Sequence, residues 1–271
     1  MRMIAGFFLV LVMLAAPARA DTLDHLQSAK ADDYFKIESE IIGRPFHIFV
    51  RLPENYEEGT KEYPVVYLLD GGTNYPMLAP YYLLLSIDEP MPDIIMVGIS
   101  YGGAGFENGN YRGTDYTAPS PEREFWGGAE NYQNFLASEL IPVIEEKFRA
   151  DKARRILFGQ SLAGQFVVYS ALTNPDLFWG RIASNPAFHR NLEYFRDLAP
   201  ETPQSSPQLF IAAASNDAER YITPRDALLQ HWAKNPPPWE YEVGALNGEY
   251  HAAAAPLAFR AGMRWLFPKQ E

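Results

Sequence analysis

The residues Phe158-Gly159-Gln160-Ser161-Leu162-Ala163-Gly164 place a serine between an apolar run at 155–158 and a helix-forming run from Leu162 to Leu172. A sharp strand-to-helix turn there exposes the hydroxyl, and small residues two positions either side, Gly159 and Ala163, leave room for the neighbouring strands. A serine at that point can also simply cap the helix. A hydroxyl attacks a carbonyl slowly until a base takes its proton, so the catalytic reading requires a histidine. Of five histidines, His25 lies near the N-terminus, His47 in an alternating run and His231 beside Trp232 in a helical run. His189 follows the apolar segment after the serine and stays a candidate. His251 is the best placed, because it comes after the last strand-like run, behind Asn247-Gly248 and just before the last helix-like run. The chain order nucleophile, acid, base then puts the acid after the run 209–214, with Asp217 first and Glu219 second. That acid would fix the imidazole tautomer and stabilise its protonated form; otherwise both carboxylates belong to a solvated turn. Asp226 reads as a first-turn helix acid favoured by the macrodipole.

A tetrahedral intermediate needs backbone donors. The N–H of Leu162 is one candidate, and Gly72, in the glycine loop Asp70-Gly71-Gly72-Thr73, supplies the other. A further segment, 101–128, has no periodicity and carries seven glycines and six aromatics. Irregular loops of that length inside a domain are usually functional or disordered, and the aromatic content argues for function. It reads as a pocket wall, with Arg112 and Trp126 as substrate-binding candidates. Arg112 either meets substrate or pairs with Asp115, and Trp126 either lines the pocket or joins the core. Arg123 is a second cation in the loop.

The elements that must hold these residues follow from periodicity. Residues 34–52 alternate on a period of two around Gly43, a hairpin, while 64–69 and 93–99 are continuous apolar runs of the kind covered on both faces. Helices are expected at 75–85, 130–148, 162–172, 224–233 and 256–267, and further strands at 155–158, near Ile182, at 208–214 and at 240–245. Strands alternating with helices give an α/β fold with a mostly parallel central sheet flanked by helices, in one domain over 21–271.

With 271 residues, 47% of them hydrophobic, the chain can bury one substantial core. Lys and Arg number 23 against 34 Asp and Glu, a net charge of −11 that disfavours nucleic acid as a partner. Cysteine is absent, which removes disulfides, a thiol nucleophile and thiolate-bound metals. No metal-ligand spacing or phosphate-cradling loop appears, so no cofactor is expected. Residues 1–20, MRMIAGFFLVLVMLAAPARA, combine Arg2, an apolar run and Ala18-Arg19-Ala20, the pattern of a secretory signal peptide. The run of about 14 residues is shorter than a membrane span. Cleavage after Ala20 would remove Arg2 and Arg19, taking the formal charge from −11 to −13. A periplasmic or secreted protein without a stable membrane anchor is expected.

Several segments together resemble the esterase D-like family of α/β-hydrolases, a group that includes periplasmic enterobactin and related siderophore esterases. They are Pro64-Val-Val-Tyr-Leu-Leu-Asp-Gly, Arg112-Gly-Thr-Asp-Tyr-Thr-Ala-Pro, Gly127-Gly-Ala-Glu-Asn-Tyr, Glu139-Leu-Ile-Pro, the turn at Ser161, and Glu249-Tyr-His251 leading to Arg264-Trp-Leu-Phe. The resemblance implies an α/β-hydrolase fold with Ser161 as nucleophile and His251 as base. It leaves the acid open, since the family's acid varies, and Ala163 stands where the family usually has glycine. It also implies an acyl-enzyme mechanism on a small-molecule carboxylic ester, with a siderophore-type ester as the specific expectation. Feruloyl or acyl-carbohydrate ester hydrolysis and acyl transfer are the enzymatic alternatives, and a non-catalytic binding protein on the same scaffold is the other class.

Overall fold

A computed structural model describes residues 30–268, so the leader expected at 1–20 lies outside the described residues. The chain enters through the expected hairpin, β1 (Asp33–Ser39) antiparallel to β2 (Arg44–Arg51), turning at Gly43 with φ +77°. Buried Phe46, Ile48 and Val50 alternate with partly exposed neighbours, as a period of two demands. Next, β3 (Tyr63–Leu68) and β4 (Ile95–Ser100) are buried at every position. The remaining strands are β5 (Ala150–Gln160), β6 (Gly180–Ser184), β7 (Gln208–Ala214) and β8 (Glu240–Leu246). All eight join one sheet in the order β1-β2-β4-β3-β5-β6-β7-β8, antiparallel at the first two pairings and parallel thereafter.

The crossovers carry the helices α1 (Gly71–Asp88), α2 (Arg112–Asp115), α3 (Ala129–Phe135), α4 (Ile141–Lys147), α5 (Leu162–Thr173), α6 (Leu192–Asp197), α7 (Glu219–Lys234) and α8 (Ala255–Leu266). Side chains alternate across the sheet. Val66, Leu68, Met96 and Phe158 pack with Tyr75 and Leu78 of α1 and Phe259 and Met263 of α8. Val65, Tyr67, Val97 and Leu157 pack on the other face with Tyr132, Phe135, Phe166 and Trp232. This is the α/β-hydrolase-type architecture, and it brings the carboxyl ends of β3, β5, β6 and β7 to one edge.

Boundaries differ from expectation where polar residues or proline interrupt a pattern. β5 runs from Ala150, because its first half, Asp151 to Arg154, is mostly exposed and carries no apolar signal. α1 starts at Gly71 and contains Pro76 and Pro80, so the expected glycine loop is a helical first turn. α7 starts at Glu219, five residues before Pro224, which reads in sequence as a helix start. Asp226 is therefore not in a first turn; Arg225 pairs with it at 2.8 Å, and Glu219 holds the macrodipole position. Between α3 and α4 a π-helical turn, Leu136–Leu140, leads into Pro142 of the otherwise continuous helix. At the far end of α5, buried Arg181 donates to the carbonyls of Ser170, Asn174, Pro175 and Phe178 at 2.7–3.1 Å. These contacts satisfy carbonyls near a helix end, with Ser170 O and Asn174 O also accepting the N–H groups of Asn174 and Leu177, and burial pushes the Arg181 guanidinium down to about 9. Among the described residues, no helix is long and apolar enough to cross a membrane.

Candidate active site

β5 ends at Gln160 and α5 begins at Leu162, so the chain reverses through Ser161, at φ 59° and ψ −111°. Backbone in such a sparsely populated region costs about 1–3 kcal/mol and persists only where surroundings fix it. Here the Ser161 N–H donates to Ser184 O at 2.8 Å, and Ser161 O accepts from Gln165 at 2.9 Å and Ala187 at 3.1 Å. A Cβ built on Gly159 would stand 2.4 Å from the Ala163 carbonyl oxygen, so glycine is required two residues before the serine. The helix-cap alternative does not describe this residue: its hydroxyl makes no cap hydrogen bond to α5.

The hydroxyl meets a histidine. Ser161 Oγ lies 2.7 Å from His251 Nε2, and His251 Nδ1 lies 2.7 Å from Asp217 Oδ2. With its proton on Nδ1, the neutral ring donates to Asp217 and accepts from the serine. The other Asp217 oxygen accepts the Ala218 N–H at 2.7 Å, and its side chain is almost fully buried. Glu219 is exposed and hydrogen-bonded to the Thr223 hydroxyl at 3.3 Å, away from this chain of contacts. His189 lies near but does not join it; its ring stands perpendicular to that of Tyr221, centroids 4.8 Å apart.

Three residues that sequence reasoning missed hold the histidine. Tyr221 stacks on the His251 ring, centroids 3.9 Å apart and planes at 15°. The His251 carbonyl accepts from Gln160 Nε2 at 2.6 Å and Asn185 Nδ2 at 3.2 Å. Asn185, buried at the end of β6 with φ 42°, also accepts the Ala214 N–H at 2.7 Å and donates its own N–H to Ala212 O at 3.0 Å. One asparagine thus ties the ends of β6 and β7 to the histidine loop. The only sequence signal was Asn185-Pro186 after an apolar run, which reads as an ordinary turn.

A cavity of about 580 Å³ opens beside Ser161, with Asp70, Gly72, Ser100, Tyr101 and Arg112 in its lining. Asp70 sits at φ 51° and leads directly into α1. A Cβ on Gly71 would stand 2.3 Å from the Ile99 nitrogen, so the helix approaches β4 more closely than any side chain permits. Gly72 and Leu162 both occupy first helical turns, where N–H groups have no intrahelical acceptor.

The loop 101–128 supplies part of this wall, in a different way from the one expected. Arg112 does not pair with Asp115; its Nε and Nη2 grip Asp70 at 2.9 and 2.8 Å. Burial acts to lower the Arg112 guanidinium, but Asp70 outweighs it and the group is raised above its ordinary value. Asp115 is instead buried against Arg44 and the Tyr101 hydroxyl, and burial pushes its carboxyl up against their opposition. Local spacing suggested an i, i+3 pair, but α2 aims the two side chains at different partners. Trp126 is buried outside the cavity lining, beneath the Arg190 guanidinium at 5.1 Å, and Arg123 is also absent from the lining.

The model of the family described as "Putative esterase" matches residues 39–238. The chain belongs to that family. It is 28% identical over 252 residues to the ferri-bacillibactin esterase BesA of Bacillus subtilis, covering 82% of this chain and 84% of the relative. It is 27% identical over 160 residues to an apo-salmochelin esterase of Escherichia coli, 55% of this chain and 49% of that one. Among solved structures, an IroE-like serine hydrolase from Shewanella oneidensis superimposes with a TM-score of 0.74 at 24% identity, covering 87% of this chain and 79% of the other. A BES protein from Bacillus cereus gives 0.73 at 23% identity, over 86% and 94%. These structural likenesses show the fold.

A hydroxyl, an imidazole and a buried carboxylate in line can pass a proton from serine to ring, stabilise the charged ring and return the proton to a leaving group. No metal or cofactor is needed for any of those transfers.

Proposed function

We propose that this protein is a serine esterase that opens siderophore-type carboxylic esters through an acyl-enzyme. The observation that carries the reading is the hydrogen-bonded series Asp217–His251–Ser161 at 2.7 Å per contact, set on a strained turn. Ser161 attacks the ester carbonyl as His251 takes its proton; Asp217 stabilises the imidazolium. The oxyanion is met by the N–H groups of Leu162 and Gly72 at two helix N-termini, where dipoles favour negative charge. His251 then protonates the leaving alcohol, and water repeats the sequence to release the acid. Arg112, whose Nη1 is not engaged by Asp70, contributes a donor to the substrate from the cavity wall. The substrate class rests on the likeness, over most of both chains, to an enzyme named for ferri-bacillibactin. Export after cleavage at Ala20 is part of this reading, and intact-mass analysis showing Asp21 as the N-terminus would support it.

The decisive assay is a panel of esters with ferric and iron-free catecholate trilactones, feruloyl esters and short p-nitrophenyl esters, run with wild type and Ser161→Ala. Trilactone turnover well above the others, lost in Ser161→Ala, is expected. Preference for feruloyl esters would move the substrate to the carbohydrate-ester class, and an absence of turnover on every ester would leave a binding protein on a hydrolase scaffold.

A further inference from the structure

Two arginines lie around Tyr221 and His189, the rings next to His251. Arg220 stands 4.8 Å over the Tyr221 ring, with its Nη2 3.2 Å from the Tyr221 hydroxyl, and that ring is stacked on His251. Arg190 follows His189, whose ring abuts Tyr221, and lies over Trp126. Neither arginine makes an ion pair among the described residues. Of the nearby acids, Asp217 is bonded to His251 and Asp226 to Arg225, while exposed Glu219 accepts the Thr223 hydroxyl and forms no ion pair with either arginine. The charges converge on His189, which burial and then Arg190, Arg220 and His251 hold below the ordinary imidazole range. In a chain of net charge −11, a local concentration of unpaired cations beside the proton donor stands out from the general field.

Mechanism decides which part of a substrate meets them. His251 must protonate the leaving oxygen, so the alcohol portion of the ester lies on the histidine side, while the carbonyl oxygen lies toward Gly72 and Leu162. We infer that Arg190 and Arg220, with His189, form an anion subsite for the alcohol portion of the substrate, so that the preferred esters are those whose leaving alcohol carries carboxylate, phenolate or similar anionic oxygens. Guanidinium groups suit such oxygens because they donate charge-assisted and often paired hydrogen bonds. This rests on the esterase reading above and adds which end of the ester is read for charge.

The test uses three chromogenic esters: p-nitrophenyl acetate, its analogue bearing a carboxylate on the nitrophenol ring, and p-nitrophenyl hydrogen glutarate, whose carboxylate is on the acyl side. For each, kcat/KM of Arg190→Gln/Arg220→Gln is divided by that of wild type, which cancels intrinsic reactivity. The loss on the anionic-alcohol ester should exceed that on the other two by about tenfold to a hundredfold, the range for charge-assisted hydrogen bonds. The single variants should fall between, and 0.5 M salt should shrink the difference in wild type. Equal losses on all three esters, or a larger loss on the glutarate, would overturn the subsite while leaving the esterase intact. If wild type hydrolyses none of them or any trilactone, the esterase reading itself fails. A variant that melts early is replaced by Arg190→Met/Arg220→Met, judged by the same ratios.

Discussion

The cavity wall and the histidine side of Ser161 are held by opposite means. On the wall, charges are matched: Arg112 grips Asp70, Arg44 grips Asp115, and Tyr101 and Tyr116 hydrogen-bond into the same network. On the histidine side, side-chain amides hold the backbone and a tyrosine ring holds the imidazole, while Arg190 and Arg220 have no acidic partner. Matched charges in a partly buried wall fix a shape without creating a field, because each desolvated ion has its counter-ion. Unpaired cations at a wet rim do the reverse and keep a field for a ligand. His251 sits between them, its ring held by the Tyr221 face and the Asp217 carboxylate and its backbone by two side-chain amides.

That contrast breaks first at the histidine. His251→Ala and Ser161→Ala should each lower kcat by about a thousandfold or more, and the double variant should be little worse than either, since the pair acts as a unit. Activity surviving in His251→Ala but lost in His189→Ala would transfer the base role to the neighbouring ring. Next comes the acid. Asp217→Asn should cost roughly a hundredfold or more in kcat, because the amide cannot stabilise an imidazolium, whereas Glu219→Gln should change kcat by no more than about twofold. Small, equal effects would reduce the site to a Ser–His pair.

The smallest expected effect sharpens the wall. Arg112→Ala leaves the Asp70 carboxylate without its partner, so the melting temperature should fall by about 2–6 °C. Turnover of neutral and anionic aryl esters should fall to a similar degree, about three- to tenfold, because the Arg112 charge is already matched. A loss several-fold greater on the anionic ester would return charge recognition to the wall and erase the difference between the two sides.

Much of this was written in the order of residues. Continuous apolar runs placed β3 and β4, alternation placed the hairpin, and small residues around Ser161 in a strand-to-helix context marked the turn, because each rule involves atoms only a few residues apart. Chain order also pointed to His251 and put Asp217 ahead of Glu219, since an open parallel sheet sends its loops to one edge. What neighbours in sequence do not determine, the tertiary structure decided. Asp70 rather than Asp115 took Arg112, 42 residues away. Trp126 went into the core, and Gln160, Asn185 and Tyr221 came to His251 from the end of β5, the end of β6 and α7. Ring stacking, amide capping and ion pairing act over a few ångströms across long sequence separations. Their partners are chosen only when the sheet order has brought the strand ends side by side.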